Sequence, residues 1–186
     1  MSVLETISGS GMDRIPNIAF RGMSFLFAIW EIFASPEKLL KKFKIKEGNT
    51  VVDYGCGPGS YIKAASTLAG QNGIVYAADV HELAIAAVNK KIERYGLTNV
   101  KTAQVTDYKS EIPDNCADVV YALDMFHMVK TPNLFLKEIH RIIKKDGRLY
   151  IEDGHQSRKN SKKKIESSKS WKIEEEYRGF LVCSPV

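Results

Sequence analysis

Along this chain the spacing of apolar positions switches repeatedly between two periods. Short apolar or β-branched runs at 50–54, 74–80, 100–106, 117–123 and 148–151 read as strands. The run at 74–80 is almost wholly apolar, as in a strand covered on both faces. Between them lie helical spacings: Leu39, Leu40 and Phe43; Ile62, Ala65 and Ala69; Ala84, Ala87, Val88, Ile92 and Tyr95; and Phe135, Ile139, Ile142 and Ile143. The punctuation agrees. Ser35-Pro36-Glu37 reads as an N-cap, a first-turn proline and a first-turn acid. Gly96 stands where a left-handed C-cap belongs. Thr131-Pro132 opens the last of these helices, and basic residues and Gly147 close it. Residues 171–177 and 180–183 predict a terminal hairpin that turns at Arg178-Gly179.

Strands alternating with helices imply a parallel sheet with helices on both faces. Right-handed crossovers then favour a doubly wound arrangement. The predicted fold is α/β: a doubly wound, mostly parallel seven-stranded sheet with a C-terminal antiparallel hairpin. Ligands in such folds sit beyond the C-terminal ends of the strands.

The first such end carries Asp53-Tyr54-Gly55-Cys56-Gly57-Pro58-Gly59. It is a poor dinucleotide loop, because Ser60 stands where the third glycine belongs and Pro58 removes a backbone donor. It also lacks the Gly-Lys-Ser/Thr ending of a phosphate loop. Asp53 would oppose a pyrophosphate, but would suit a ligand with an ammonium and a sulfonium, both present in S-adenosylmethionine. Asp79 ends the next strand, 20 residues after Gly59, where an acid can accept ribose hydroxyls. The bland alternative is that both acids only hydrogen-bond loops.

These residues resemble the signature of class I S-adenosylmethionine-dependent methyltransferases, most closely the small-molecule group that includes ubiquinone/menaquinone-biosynthesis enzymes. The likeness runs through Ala78-Asp79, Thr106-Asp107-Tyr108, Ala117-Asp118-Val119-Val120, Phe126-His127-Met128-Val129 and Leu136-Lys137-Glu138-Ile139 to Gly147-Arg148-Leu149. It covers roughly residues 48–153 and implies a Rossmann-like fold. It further implies that Asp53, Gly55, Cys56, Gly57 and Gly59 form the loop at the methionine end. Asp79 would hold the ribose, and Val80 would pack beside the adenine. Asp107 would accept from the adenine amino group, with Tyr108 next to it, and Ala122 and Leu123 would floor the sulfonium. Lys145-Asp146-Gly147 departs from the usual Pro-Gly-Gly, and Met128 replaces the second residue of a common His-His pair. The chain also lacks a long insertion before its last strands, where many relatives build a substrate site.

Methyl transfer is a displacement on an activated carbon, so positioning supplies much of the catalysis and a base is needed only if the acceptor must lose a proton. His127, Asp124 and His155 fall on the expected rim as candidate acceptor-side groups. Each has a plainer reading as a packing or capping residue. Cys56, Cys116 and Cys183 are far apart with no C-x-x-C pair, so neither a metal site nor a disulfide is expected.

The net charge of +5 is concentrated in residues 158–169. One local run argues less for nucleic acid than a basic face would, and no Asn-Pro-Pro-Tyr-like motif follows the fourth strand. The expected partner is a small-molecule methyl acceptor in a cytoplasmic protein of open oligomeric state. Nucleic-acid or protein methylation, or a non-catalytic cofactor-binding module, are the rival readings. Residues 1–34 are expected to form a helical lid over a domain at 35–186. The apolar stretch at 23–33 is too short to span a bilayer, but is compatible with peripheral membrane contact.

Overall fold

The computed structural model describes residues 16–22 and 36–186. Residues 17–22 are helical. The predicted Ser35 cap and the apolar stretch at 23–33 lie outside the described residues. From there the order is α1 (Pro36–Leu40) running into a 3-10 turn (Lys41–Phe43), β1 (Thr50–Tyr54), α2 (Ile62–Ala69), β2 (Ile74–Asp79), α3 (Glu82–Tyr95), β3 (Val100–Gln104) and β4 (Ala117–Ala122). A second 3-10 turn (Phe126–Met128) leads to α4 (Pro132–Ile142), β5 (Ile143–Glu152), α5 (Arg158–Ser167), β6 (Trp171–Glu176) and β7 (Phe180–Pro185).

The strands form one sheet in the order β3-β2-β1-β4-β5-β7-β6. The first five are mutually parallel, and β7 runs antiparallel between β5 and β6. The predicted architecture is therefore the observed one. The order steps outward in opposite directions from β1 and β4, which makes their C-terminal ends the switch point.

Alternation along each strand feeds two cores. Val52, Val120 and Leu149 face Phe135, Ile139 and Ile142 of α4 and Ile165 of α5. Val51, Val119 and Tyr121 face Leu40, Phe43, Ile62 and Val88 on the other side. Each fully buried side chain of this size contributes about 1.5–3 kcal/mol. Arg141 fastens the segment after β3 to α4: it donates to Glu138 at 2.6 and 2.8 Å and to the carbonyls of Ser110 and Ile112.

Several boundaries differ from the sequence reading, those of β5 and β3 with identifiable structural causes. β5 begins at Ile143 rather than at 148, because Ile143 pairs with Ala117 and the chain then bulges before Arg148 pairs with Val119. β3 ends at Gln104, and Thr106 turns back to bridge Lys109. The basic run, which reads as a solvated helix or loop, is a helix, and its cap is Ser157, whose side chain accepts from the Asn160 amide.

Candidate functional site

The loop after β1 is pinned from both sides. The amides of Gly55 and Cys56 donate to the Ala78 carbonyl at 2.7 and 3.0 Å. Asp79 accepts from the Gly57 amide through Oδ2 and from the His81 amide through Oδ1, each at 2.8 Å. His81 in turn caps α3, its Nδ1 accepting from the Leu83 amide at 3.1 Å. The three loop glycines have positive φ but different surroundings. A Cβ on Gly55 would lie 2.7 Å from Met125, and one on Gly59 would lie 2.9 Å from Val88. A Cβ on Gly57 would meet nothing within 4 Å. The outer two glycines admit neighbouring side chains, and Gly57 presents backbone to open space.

That space is a cavity of about 1090 Å³, counting its open mouth, at the switch point. Of the residues implicated by sequence, Asp53, Gly55, Cys56, Gly57, Asp79, Val80, Tyr108, Leu123 and Asp124 line it. Gly59, Asp107, Ala122, His127 and His155 do not. Gly59 is turned toward α3. Ala122 is wholly buried in the sheet core. Asp107 and Tyr108 are consecutive left-handed residues, and this turn leaves Asp107 exposed while Tyr108 joins the wall. The sequence reading missed Tyr61, Met125, Met128, Val129 and Phe135, which supply much of the apolar wall. Phe135 was legible only as a core-facing helical position. Phe20 also lines the cavity, stacked on His81 with ring centroids 4.3 Å apart.

Asp53 is the unusual group. It is 2% exposed, and its Oδ2 makes no hydrogen bond among the described residues. Burial pushes its carboxyl up to about 8; the adjacent Tyr121 hydroxyl pulls it down and Asp79 adds to the rise. Burial also raises Asp79, although the amides of His81, Gly57 and Val80 favour its charged form. Cys56 is buried, which lifts its thiol well above the ordinary value and makes it a poor nucleophile.

The far rim is built from the loops after β4 and β5. Asp124 takes a left-handed conformation, and its amide donates to Glu152 Oε2 at 2.9 Å. His127 sits in the second 3-10 turn and His155 just after β5. Their nitrogens lie 3.9 and 3.7 Å from the same oxygen, Asp124 Oδ1. Burial lowers the His127 pKa, outweighing the pull of Asp124.

The fold and cavity define a doubly wound α/β domain with a ligand site at its switch point. A family profile described as "Methyltransferase domain" matches residues 52–151, and the chain belongs to that family. A probable cobalt-precorrin-6B C(15)-methyltransferase (decarboxylating) from Saccharolobus solfataricus is 33% identical over 117 residues, 61% of this chain and 56% of that protein. A demethylmenaquinone methyltransferase from Geobacillus kaustophilus is 28% identical, over 60% of this chain and 47% of its own length. The chain thus spans about half the length of these curated relatives. Among solved structures, a SAM dependent methyltransferase from Aquifex aeolicus superposes with a TM-score of 0.74 at 28% identity, covering 82% of this chain and 90% of that one.

Proposed function

We propose that the domain binds S-adenosylmethionine in this cavity and transfers its methyl group to a small-molecule acceptor. The observation that carries the reading is the buried, unpartnered Asp53 Oδ2 in the cavity wall beside the open backbone of Gly57. An α-ammonium is the group that satisfies such a carboxylate. Asp79 has lone pairs left beyond its two amide contacts, enough to accept from ribose hydroxyls. Val80, Tyr108, Leu123 and Met125 offer apolar surface to the rest of the ligand. When bound, the sulfonium supplies an activated methyl group. The chain's own contribution is to hold that end fixed by the Asp53 and Asp79 loops, to exclude water with apolar walls, and to present Asp124, His127 and His155 on the acceptor side.

A small-molecule acceptor is supported by the two curated relatives, a probable cobalt-precorrin-6B C(15)-methyltransferase (decarboxylating) and a demethylmenaquinone methyltransferase. The basic helix α5 offers a nucleic acid less than its composition suggests. Arg158 is paired with Asp153 and Glu176, Lys162 with Glu176, and Lys164 donates to the Phe126 and His127 carbonyls. Residues 16–22 act in this reading as part of a lid, on the strength of Phe20 in the cavity wall; the rest of the segment 1–34 lies outside the described residues. Peripheral membrane contact through the segment at 23–33 and a cytoplasmic location belong to the same proposal. No helix among the described residues is long and apolar enough to cross a membrane.

The test is calorimetric titration with S-adenosylhomocysteine, with NADH as control. Saturable binding of the first alone is the expected result. Failure to bind S-adenosylhomocysteine overturns the reading.

A further inference from the structure

We propose that Asp124, His127 and His155 form a divalent-cation site of two imidazoles and one carboxylate at the rim of the cavity. Asp124 and His127 lie three residues apart on the loop after β4, and His155 meets them because β4 and β5 are paired neighbours, with Ala122 opposite Ile151. One ligand atom from each falls within a cluster no wider than 4.8 Å. The two nitrogens lie 3.9 and 3.7 Å from Asp124 Oδ1. A tetrahedral site with bonds of about 2.1 Å separates its ligands by roughly 3.4 Å. The carboxylate–imidazole pairs therefore need to close by only about 0.3–0.5 Å. The His127–His155 pair must close further. The His155 side chain, 81% exposed, has room to do so.

Two further features show a built site rather than a chance meeting on the surface. His127 Nδ1 is shut off from solvent and has no hydrogen-bond partner among the described residues, and a buried polar atom left so needs a reason. Gly154 closes over that nitrogen. Its φ is +59°, and a Cβ there would fall 2.3 Å from His127 Nδ1. Any side chain at 154 would displace the imidazole.

The surrounding charges allow a cation. Glu152 lies behind Asp124, bound to its amide at 2.9 Å. Asp153 is engaged by Arg158 at 2.7 Å. Lys164 opposes a cation through space, but its ammonium is held by the carbonyls of Phe126 and His127 at 3.0 and 3.4 Å. Two imidazoles and a carboxylate suit first-row divalent ions such as zinc or iron(II). With three protein ligands and a half-exposed carboxylate, positions stay open to water or to an oxygen of the acceptor, as at a catalytic rather than a structural site. Asp124 also lines the cavity, so the open side adjoins it. The acceptor class this selects is one that presents a coordinating oxygen. That role rests on the methyl-transfer reading; the binding of the cation does not.

The test uses the full chain, stripped of metal. Co²⁺ is followed by its visible absorption and Zn²⁺ by calorimetry, with S-adenosylhomocysteine titrated in parallel. One equivalent of metal is expected. His155→Ala, which changes an exposed side chain, should weaken metal binding at least ~10-fold and leave S-adenosylhomocysteine affinity unchanged. Asp124→Asn should weaken the metal similarly. His140→Ala, on a histidine outside the cluster, should leave metal binding intact. No saturable metal binding below about 1 mM overturns the proposal, as does equal binding by wild type and His155→Ala. Metal binding without S-adenosylhomocysteine binding would sink the methyl-transfer reading alone and leave the cation site standing.

Discussion

Two ends of one cavity use carboxylates in opposite ways. At β1 and β2, Asp53 and Asp79 are 2% and 9% exposed, and the loop they serve is tied down by backbone hydrogen bonds. At β4 and β5, the Asp124 side chain is 45% exposed and shares its oxygen with two histidines. All of these groups stand at C-terminal ends of parallel strands, where the topology leaves room for a ligand. Burial makes the difference. A carboxylate sealed at the first end cannot rely on water and must be matched by the ligand or by amides. A carboxylate at the second end keeps its hydration and can exchange partners. The first end suits an invariant ligand part, and the second suits a group that comes and goes with each turnover.

The largest break in that contrast comes from Asp79→Ala. It removes the acceptor for two amides at 2.8 Å. Hydrogen bonds to a charged group contribute about 1.5–3 kcal/mol each, and removing the carboxylate also removes the cost of burying it, so unfolding in urea should show a net loss of about 2–4 kcal/mol. S-adenosylhomocysteine affinity should fall by about 10- to 100-fold, or ~1.4–2.7 kcal/mol. Unchanged affinity in a folded variant would remove Asp79 from the binding end.

Asp53 sharpens the contrast through protons. Its carboxyl is raised from 3.8 to about 8, so the folded state holds this proton more tightly than the unfolded chain. The stability it contributes is fully present below pH 3.8 and is lost as pH rises through about 8. Asp53→Asn should flatten that part of the ligand-free melting profile. Pairing with an ammonium reverses the preference and ionises the group. At pH 7, one unit below its pKa of about 8, binding should release about 0.9 proton; at pH 9.5 it should release almost none. Calorimetry in buffers of contrasting ionisation enthalpy reads this directly. Absence of proton release at pH 7 would mean that Asp53 does not meet the ammonium.

How much of this was legible in the sequence follows the same division. The glycine loop, Asp53 and Asp79 could be placed because each directly follows a β-rich run, so local pattern fixes their position. The far rim could be located but not assembled. Asp124 and His127 are i,i+3 neighbours after β4, but His155 joins them only through the β4–β5 pairing, which spacing does not encode. Asp107 stands outside the cavity lining for a local reason: an Asp-Tyr pair at φ +49° and +58° makes a left-handed turn that leaves Asp107 exposed to solvent. The early start of β5 failed for a tertiary one, since Ile143 completes the α4 apolar stripe yet pairs with Ala117. The apolar wall was missed because Phe135 reads as an ordinary core position and Met125 belongs to no apolar pattern.

Phe20 gives the smallest effect and asks whether the sealed end is sealed from outside the sheet. It is 4% exposed, stacks on His81 and lies outside the two core clusters formed among the described residues. A side chain buried against a cavity wall, but outside the cores, contributes more to the ligand site than to global stability. An aromatic contact of this kind is worth about 0.5–1.5 kcal/mol beyond its area. Phe20→Ala should therefore weaken S-adenosylhomocysteine about three- to tenfold, mainly by faster dissociation, with a smaller fall in melting temperature than the same change at Phe135 in the core. Stopped-flow dissociation and a thermal scan separate the two. Should melting fall while dissociation stays the same, residues 17–22 are packing for α3, and the buried carboxylates hold their ligand without a lid.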